Sequence, residues 1–223
     1  MSVISTNRMY FSQCNEDEYL NEHYFHNKRD GTYIELGALD GVLYSNTKFY
    51  QDQLGWKGVL IEPHRYAFSL LQKNRPDNYL FNDLVSCIPD ELKYKYFLYG
   101  HAAVSGVENT LTQFHFDEFY NNPENEHLQQ DTMMIRPKTL TEILNDTPIR
   151  HFDLLSLDVE GHEYEVLKSW DFSIPIDVIL IEMLGKEPAK EDLCRKLLID
   201  NGYKLDSKYE HNEIFTSVVN FDS

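Results

Sequence analysis

The chain predicts an α/β fold, a doubly wound and mostly parallel sheet with an antiparallel C-terminal hairpin. Three observations predict it. Short β-branched and apolar runs alternate with segments of helical spacing along the 223 residues, as in chains of successive strand–helix units. Several of those runs are apolar at nearly every position, which suits strands buried on both faces. The last two runs, 203–205 and 213–219, lie close enough to pair as a hairpin.

The elements follow in order. Ser12-Gln13-Cys14-Asn15-Glu16-Asp17 places cap residues and then acids ahead of Tyr19, Leu20, Tyr24 and Phe25, which reads as a helix start. A strand at 32–36 runs into Gly37 and Gly41, and a helix over 46–53 stops at Gly55. A second strand at 58–62 is ended by Pro63, and 67–74 has the spacing of the next helix. A third strand is expected at 79–86 and another at 94–99. Residues 100–134 lose periodicity and read as an irregular, partly helical excursion of the kind that covers active sites. Thr139 or Thr141 caps a short helix before 144. A strand at 152–158 ends in Asp158, 160–169 is helical with Tyr164, Val166 and Leu167 inward, and 176–182 is the most apolar strand. A helix at 193–201 stops at Gly202 before the hairpin. One domain over 1–223 is expected, with an N-terminal helical segment at 10–28 and an insertion at about 100–134.

Composition narrows the partners. A formal net charge of −17 speaks against nucleic acid, whose binding draws on Lys and Arg. Cys14, Cys87 and Cys194 are three, and far apart, so neither a disulfide framework nor a zinc spacing follows. The N-terminus has no continuous apolar stretch and no run reaches membrane-spanning length. A soluble, cytoplasmic protein with no membrane partner is expected.

The chemistry concentrates at strand ends. Glu35, Glu62, Asp83, Asp158 and Glu182 all lie at or just past the end of an expected strand. Parallel sheets bind ligands outside that edge, and carboxylates there are costly unless partnered. The turn Gly37-Ala38-Leu39-Asp40-Gly41 has Leu39 where a dinucleotide fingerprint needs its middle glycine, so a pyrophosphate fits poorly. Glu62 stands where an acid grips ribose hydroxyls. A nucleoside without phosphate, such as S-adenosylmethionine, suits both features.

Three stretches together resemble the FkbM family of methyltransferases: Tyr33-Ile34-Glu35-Leu36-Gly37-Ala38-Leu39-Asp40-Gly41, Gly55-Trp56-Lys57-Gly58-Val59-Leu60-Ile61-Glu62-Pro63, and Asp153 through Leu167 with its Asp158-Val159-Glu160-Gly161 block. The Ser12 to Asp17 segment is similar to a Ser-Gln-x-x-Glu-Asp segment of many members. The resemblance implies a class I, Rossmann-like methyltransferase sheet, S-adenosylmethionine as donor, and O-methylation of a hydroxyl on a sugar, glycan or small metabolite. It places Glu35, Gly37 and Asp40 at the methionine end of the donor, Glu62 at the ribose and Asn82, Asp83 and Leu84 at the adenine. Gln13, Ser45, Pro63 and Asp158 complete the expected donor set. His162 departs from the family, which often has a small residue there.

Methyl transfer to a hydroxyl needs alignment and removal of a proton from a poor nucleophile. Asp158 is the first choice as base or acceptor anchor, followed by His162, whose titration range suits neutrality; Glu160 lies between them. Asp158 and Glu182 on neighbouring strands form a candidate magnesium pair. Tyr44, Phe114, Phe116, Phe119 and Tyr120 are candidates for a sugar-stacking platform. Rival readings are a nicotinamide-dependent oxidoreductase and a non-catalytic module that keeps only the S-adenosylmethionine pocket.

Overall fold

Residues 9–98 and 102–218 are described by the computed structural model. In chain order the strands are β1 (Thr32–Leu36), β2 (Lys57–Ile61), β3 (Tyr79–Phe81), β4 (Leu92–Phe97), β5 (Gly106–Val107), β6 (Gln130–Ile135), β7 (Phe152–Leu157), β8 (Ile176–Glu182), β9 (Tyr203–Tyr209) and β10 (Asn212–Ser217). The helices are α1 (Glu16–Leu20), α2 (Lys48–Leu54), α3 (Arg65–Asn74), α4 (Gln113–His115), α5 (Leu140–Asn145), α6 (Glu163–Lys168) and α7 (Pro188–Asp200).

Seven strands form one sheet in the order β3-β2-β1-β7-β8-β10-β9. The first five run parallel, and β10 is antiparallel to both β8 and β9. All six residues of β7 are buried, the signature of a strand covered on both faces. The main core gathers Ile34, Val59, Leu155, Ile179 and Phe215 from five strands against Leu140, Val166 and Leu198 from three helices. Because β1 pairs with β2 on one side and β7 on the other, strand order reverses at β1. The crevice beyond the carboxyl ends of β1 and β7 is therefore the place for a ligand.

Several local signals act as expected. Gly55 closes α2 in the left-handed region at φ 76°, and Thr139 caps α5 in a reciprocal box with Glu142. At the N-terminal segment, α1 continues as one wider turn, Asn21–Phe25. Its cap works differently from the expectation: Asp17, not the residue before the helix, accepts from the Phe11 backbone N–H and the Ser12 hydroxyl.

Other expectations are corrected. The third strand stops at Phe81, because the Asn82 amide donates to the carbonyls of Glu62 and Pro63 and turns the chain away. Only Val85 returns, in an isolated bridge with Lys138. β4 does not join the main sheet but forms a separate antiparallel sheet, β5-β4-β6. Its partner β6 was missed, since Gln130-Asp131-Thr132 carries too little apolar alternation to read as a strand. The helix expected from residue 160 begins at Glu163, for Glu160 and Gly161 both take positive φ, 56° and 90°. α7 starts earlier than expected, at Pro188, a residue preorganised for a first helical turn. Tyr99, Gly100 and Val219, used as boundaries above, lie outside the described residues.

Candidate active site

A cleft opens at the crevice, where open α/β sheets bind their ligands. Its floor is the edge of the main sheet, with Glu35, Gly37, Glu62, Ser156, Asp158 and Glu182, and Tyr94, Gly106 and Val107 of the small sheet line it too, with Ser105 just before β5.

The glycine turn is built for close approach. Gly37 has φ 76°, and a Cβ there would lie 2.0 Å from the Asp158 carbonyl oxygen. Only glycine lets the turn after β1 lie against the end of β7. Beneath the turn, the buried Glu35 carboxylate accepts from the Ser45 hydroxyl (2.9 and 3.0 Å), the Asn46 backbone N–H (2.8 Å) and the Thr47 hydroxyl (2.6 Å). Arg75, fully buried just past α3, donates to the Gly41 carbonyl, the Tyr33 hydroxyl and Thr47. Glu35 is thus spent on tethering the loop to α2, and Ser45 serves Glu35. Asp40 accepts from the backbone N–H groups of Val42 and Leu43 and shapes the turn.

Glu62 is different. Its two oxygens accept from the Leu39 N–H (2.9 Å) and the His64 N–H (2.6 Å), which fix the carboxyl in the cleft wall. Burial pushes its pKa up to about 7, against the pull of those two bonds.

Opposite lies the acidic block. Burial, then Glu160 and Glu163, drive Asp158 well above the carboxylate range. Burial together with Asp158 raises Glu182 to about 11. Glu160 is raised to about 8 by burial and Glu163, and its Oε2 lies 2.6 Å from Nε2 of His115. His162 is buried beside it. Its Nδ1 is 3.0 Å from the Thr110 hydroxyl, while its Nε2 has no hydrogen-bond partner. Burial lowers its pKa to about 4, which leaves a neutral ring at physiological pH.

A family model described as Methyltransferase FkbM domain matches residues 35–205. This chain belongs to the FkbM methyltransferase family. Membership makes it a methyltransferase of the S-adenosylmethionine-dependent class, and the resemblance seen in the motifs holds. Among solved structures, the FkbM methyltransferase of Methylobacillus flagellatus KT is 15% identical, with 90% of this chain and 50% of that chain covered at a TM-score of 0.51. The METTL16 methyltransferase domain is 11% identical, with 92% and 67% covered at a TM-score of 0.50. These likenesses are of fold, the class I methyltransferase fold. The chain spans half the length of the Methylobacillus protein. Comparison with curated proteins returns no match.

Within this FkbM chain the cleft brings together Gln13, Glu35, Gly37, Glu62, Pro63, Asp83, Leu84, Asp158, Glu160, His162 and Glu182 of the expected site. Asp40, Ser45 and Asn82 do not line it and act through the loops described above. Tyr44 lines it, whereas Tyr120 stacks on Phe97 at 4.9 Å and Phe114 lies under the Lys186 ammonium, so the expected aromatic platform is mostly packing. The magnesium expectation gains no support: among the described residues, Asp158 and Glu182 belong to no group of three or more metal-type ligands. Among the described residues, the one group of three or more metal-type ligands is His151, Asp153 and Asp177. There Asp153 is already held by Lys28 and the Thr32 N–H. No helix among them is long and apolar enough to cross a membrane.

Sequence reading missed Arg75, His115, Ser105 and the small-sheet residues Tyr94, Gly106 and Val107. Arg75 followed a helix end, where any cation is at home. His115 stands three residues after Thr112, where a capping box ordinarily has Glu or Gln, so the spacing was readable though the residue type was not.

Proposed function

We propose that the protein transfers a methyl group from S-adenosylmethionine to a hydroxyl of a small metabolite, sugar or glycan. One observation carries this reading: a fixed ribose-type acid, Glu62, and proton-accepting groups, Asp158, Glu160 and His162, line one cleft. Donor and residues fit. Glu62 has lone pairs left for a vicinal diol, the apolar Leu84 and Val85 beside Asp83 suit a flat base, and the Gly37 turn admits a ligand's amino-acid end. The acids also suit a sulfonium cation.

The donor supplies an electrophilic methyl carbon whose bond to sulfur breaks, with its electron pair left on sulfur, as the bond to the acceptor oxygen forms. The chain's own part is to align the acceptor, exclude water and take the hydroxyl proton. Apolar walls from Val107 and Val85 keep the carboxyls in a poorly solvated site, where each is a stronger base than in water.

Calorimetry with S-adenosylhomocysteine tests the donor half, and folded protein that binds none refutes it. Turnover of methyl-labelled donor against polyols, monosaccharides, phenols and primary amines tests the acceptor half. Methylation of amines alone would replace the hydroxyl reading by one in which the acid cluster holds a cationic acceptor.

A further inference from the structure

His115 is the third residue of the short turn α4, and its ring folds back onto Thr112, which caps that turn. Nδ1 lies 3.1 Å from the Thr112 backbone nitrogen and 2.8 Å from its hydroxyl. A ring nitrogen that accepts from a backbone N–H carries no proton, so in the neutral ring the proton sits on Nε2. That Nε2–H donates to Oε2 of Glu160 at 2.6 Å. The ring is 1% exposed, and burial lowers its pKa, which keeps it a neutral donor.

Glu160 is held at its backbone as well. It is a non-glycine residue at φ 56°, a conformation that persists only where the surroundings impose it. Gly106 packs so closely that a Cβ there would lie 3.4 Å from the Glu160 Cβ.

From this geometry we infer that His115 is a positioning residue which, through its Nε2–H, holds Glu160 as the proton acceptor for the methyl-accepting hydroxyl. One Glu160 oxygen is taken by His115, and the other is left in the cleft wall for the substrate. The acceptor O–H proton passes to the Glu160 carboxylate while the acceptor oxygen takes the methyl carbon, and sulfur keeps the electron pair of the broken bond as a neutral thioether. The inference rests on the hydroxyl reading proposed above. The titratable groups that face Glu160 are Asp158 and Glu163 on its own connection, Glu182 at the end of β8, Tyr94 of β4, Tyr120 beyond α4, and His115. Loss of the His115 bond removes a donor that favours the ionised carboxylate, and so moves the Glu160 titration upward in pH.

Histidine-selective nitrogen NMR of the full chain tests the proton placement without any substrate. The expected result is an Nε2-protonated, Nδ1-bare His115 at neutral pH whose ring signals move in Glu160→Gln. An Nδ1-protonated or charged ring, or signals indifferent to Glu160→Gln, overturns the inference. In turnover with labelled donor, His115→Phe should lower kcat by roughly 10–100-fold, less than removal of a base itself, and shift the acid limb of the pH profile upward. His115→Gln, which restores an N–H near the same place, should recover much of the loss. Full activity and an unshifted profile in His115→Phe overturn the inference, whereas failure of wild-type protein to bind S-adenosylhomocysteine overturns the donor reading instead. If His115→Phe does not fold, the NMR of wild type and Glu160→Gln decides alone.

Discussion

The guanidinium of Arg75 lies 3.9 Å from the Glu35 carboxylate, with both side chains buried beneath the glycine turn. One comes from β1 and the other from just past α3, so together they clamp the loop to the sheet. Removal of one partner leaves a buried charge poorly compensated, a loss of about 3–5 kcal/mol. Arg75→Met is expected to lower unfolding stability by that order in urea titration and to weaken S-adenosylhomocysteine binding, because Gly41 and Thr47 lose their anchor.

In the proposed donor site, Glu62 makes binding depend on pH. Its folded pKa of about 7 lies above the ordinary 4.5, so between those values the folded protein holds a proton that the unfolded chain has released. Its contribution to stability is therefore full below about 4.5 and is lost as pH rises through about 7. Ribose hydroxyls donate to the ionised form, so S-adenosylhomocysteine should bind more tightly as pH rises, by up to about tenfold per unit, and level off above about 7. Calorimetry across that range checks this, and Glu62→Gln should bind weakly with a flatter profile.

His162 shifts the other way. A folded pKa of about 4 against the ordinary 6.5 means that protonation favours the unfolded chain, and stability from this residue is lost as pH falls from about 6.5 to 4. Its buried, unpartnered Nε2 costs about 1–3 kcal/mol of desolvation. His162→Phe should melt no lower than wild type and lose part of the acid sensitivity, which thermal melts at two pH values resolve.

Gly37→Ala combines a positive φ with a Cβ that would lie 2.0 Å from the Asp158 carbonyl oxygen. The strained backbone alone costs of order 1–3 kcal/mol, and β1 must move from β7. Loss of both stability and donor binding is expected.

Thr139→Ala serves as the contrast. It removes the cap of α5 and its bond to Glu142, a loss of about 1 kcal/mol. It should leave donor affinity unchanged, since that cap does not line the cleft.

Much of this arrangement was legible in residue order alone. Strands such as β8, whose bounds match the apolar run 176–182, announce themselves because burial on both faces leaves a continuous signal. Strand ends carrying Glu62, Asp158 and Glu182 were readable for the converse reason, as acids where packing does not ask for them. β6 was not, because a small sheet open to solvent on one face tolerates Gln130, Asp131 and Thr132. The burden on Glu35 was hidden too: a carboxylate gives no sign in sequence of whether loop hydroxyls and a distant arginine already occupy it. His115 could be found only in three dimensions, 45 residues before Glu160 along the chain.

The lining of the cleft has a consequence for selectivity. It includes the acids Glu35, Glu62, Asp83, Asp158, Glu160 and Glu182 and, among the described residues, neither a lysine nor an arginine. A wall of one sign repels ligands of the same sign. Acceptors that carry a phosphate or a carboxylate are therefore expected to be poor ligands beside their neutral counterparts.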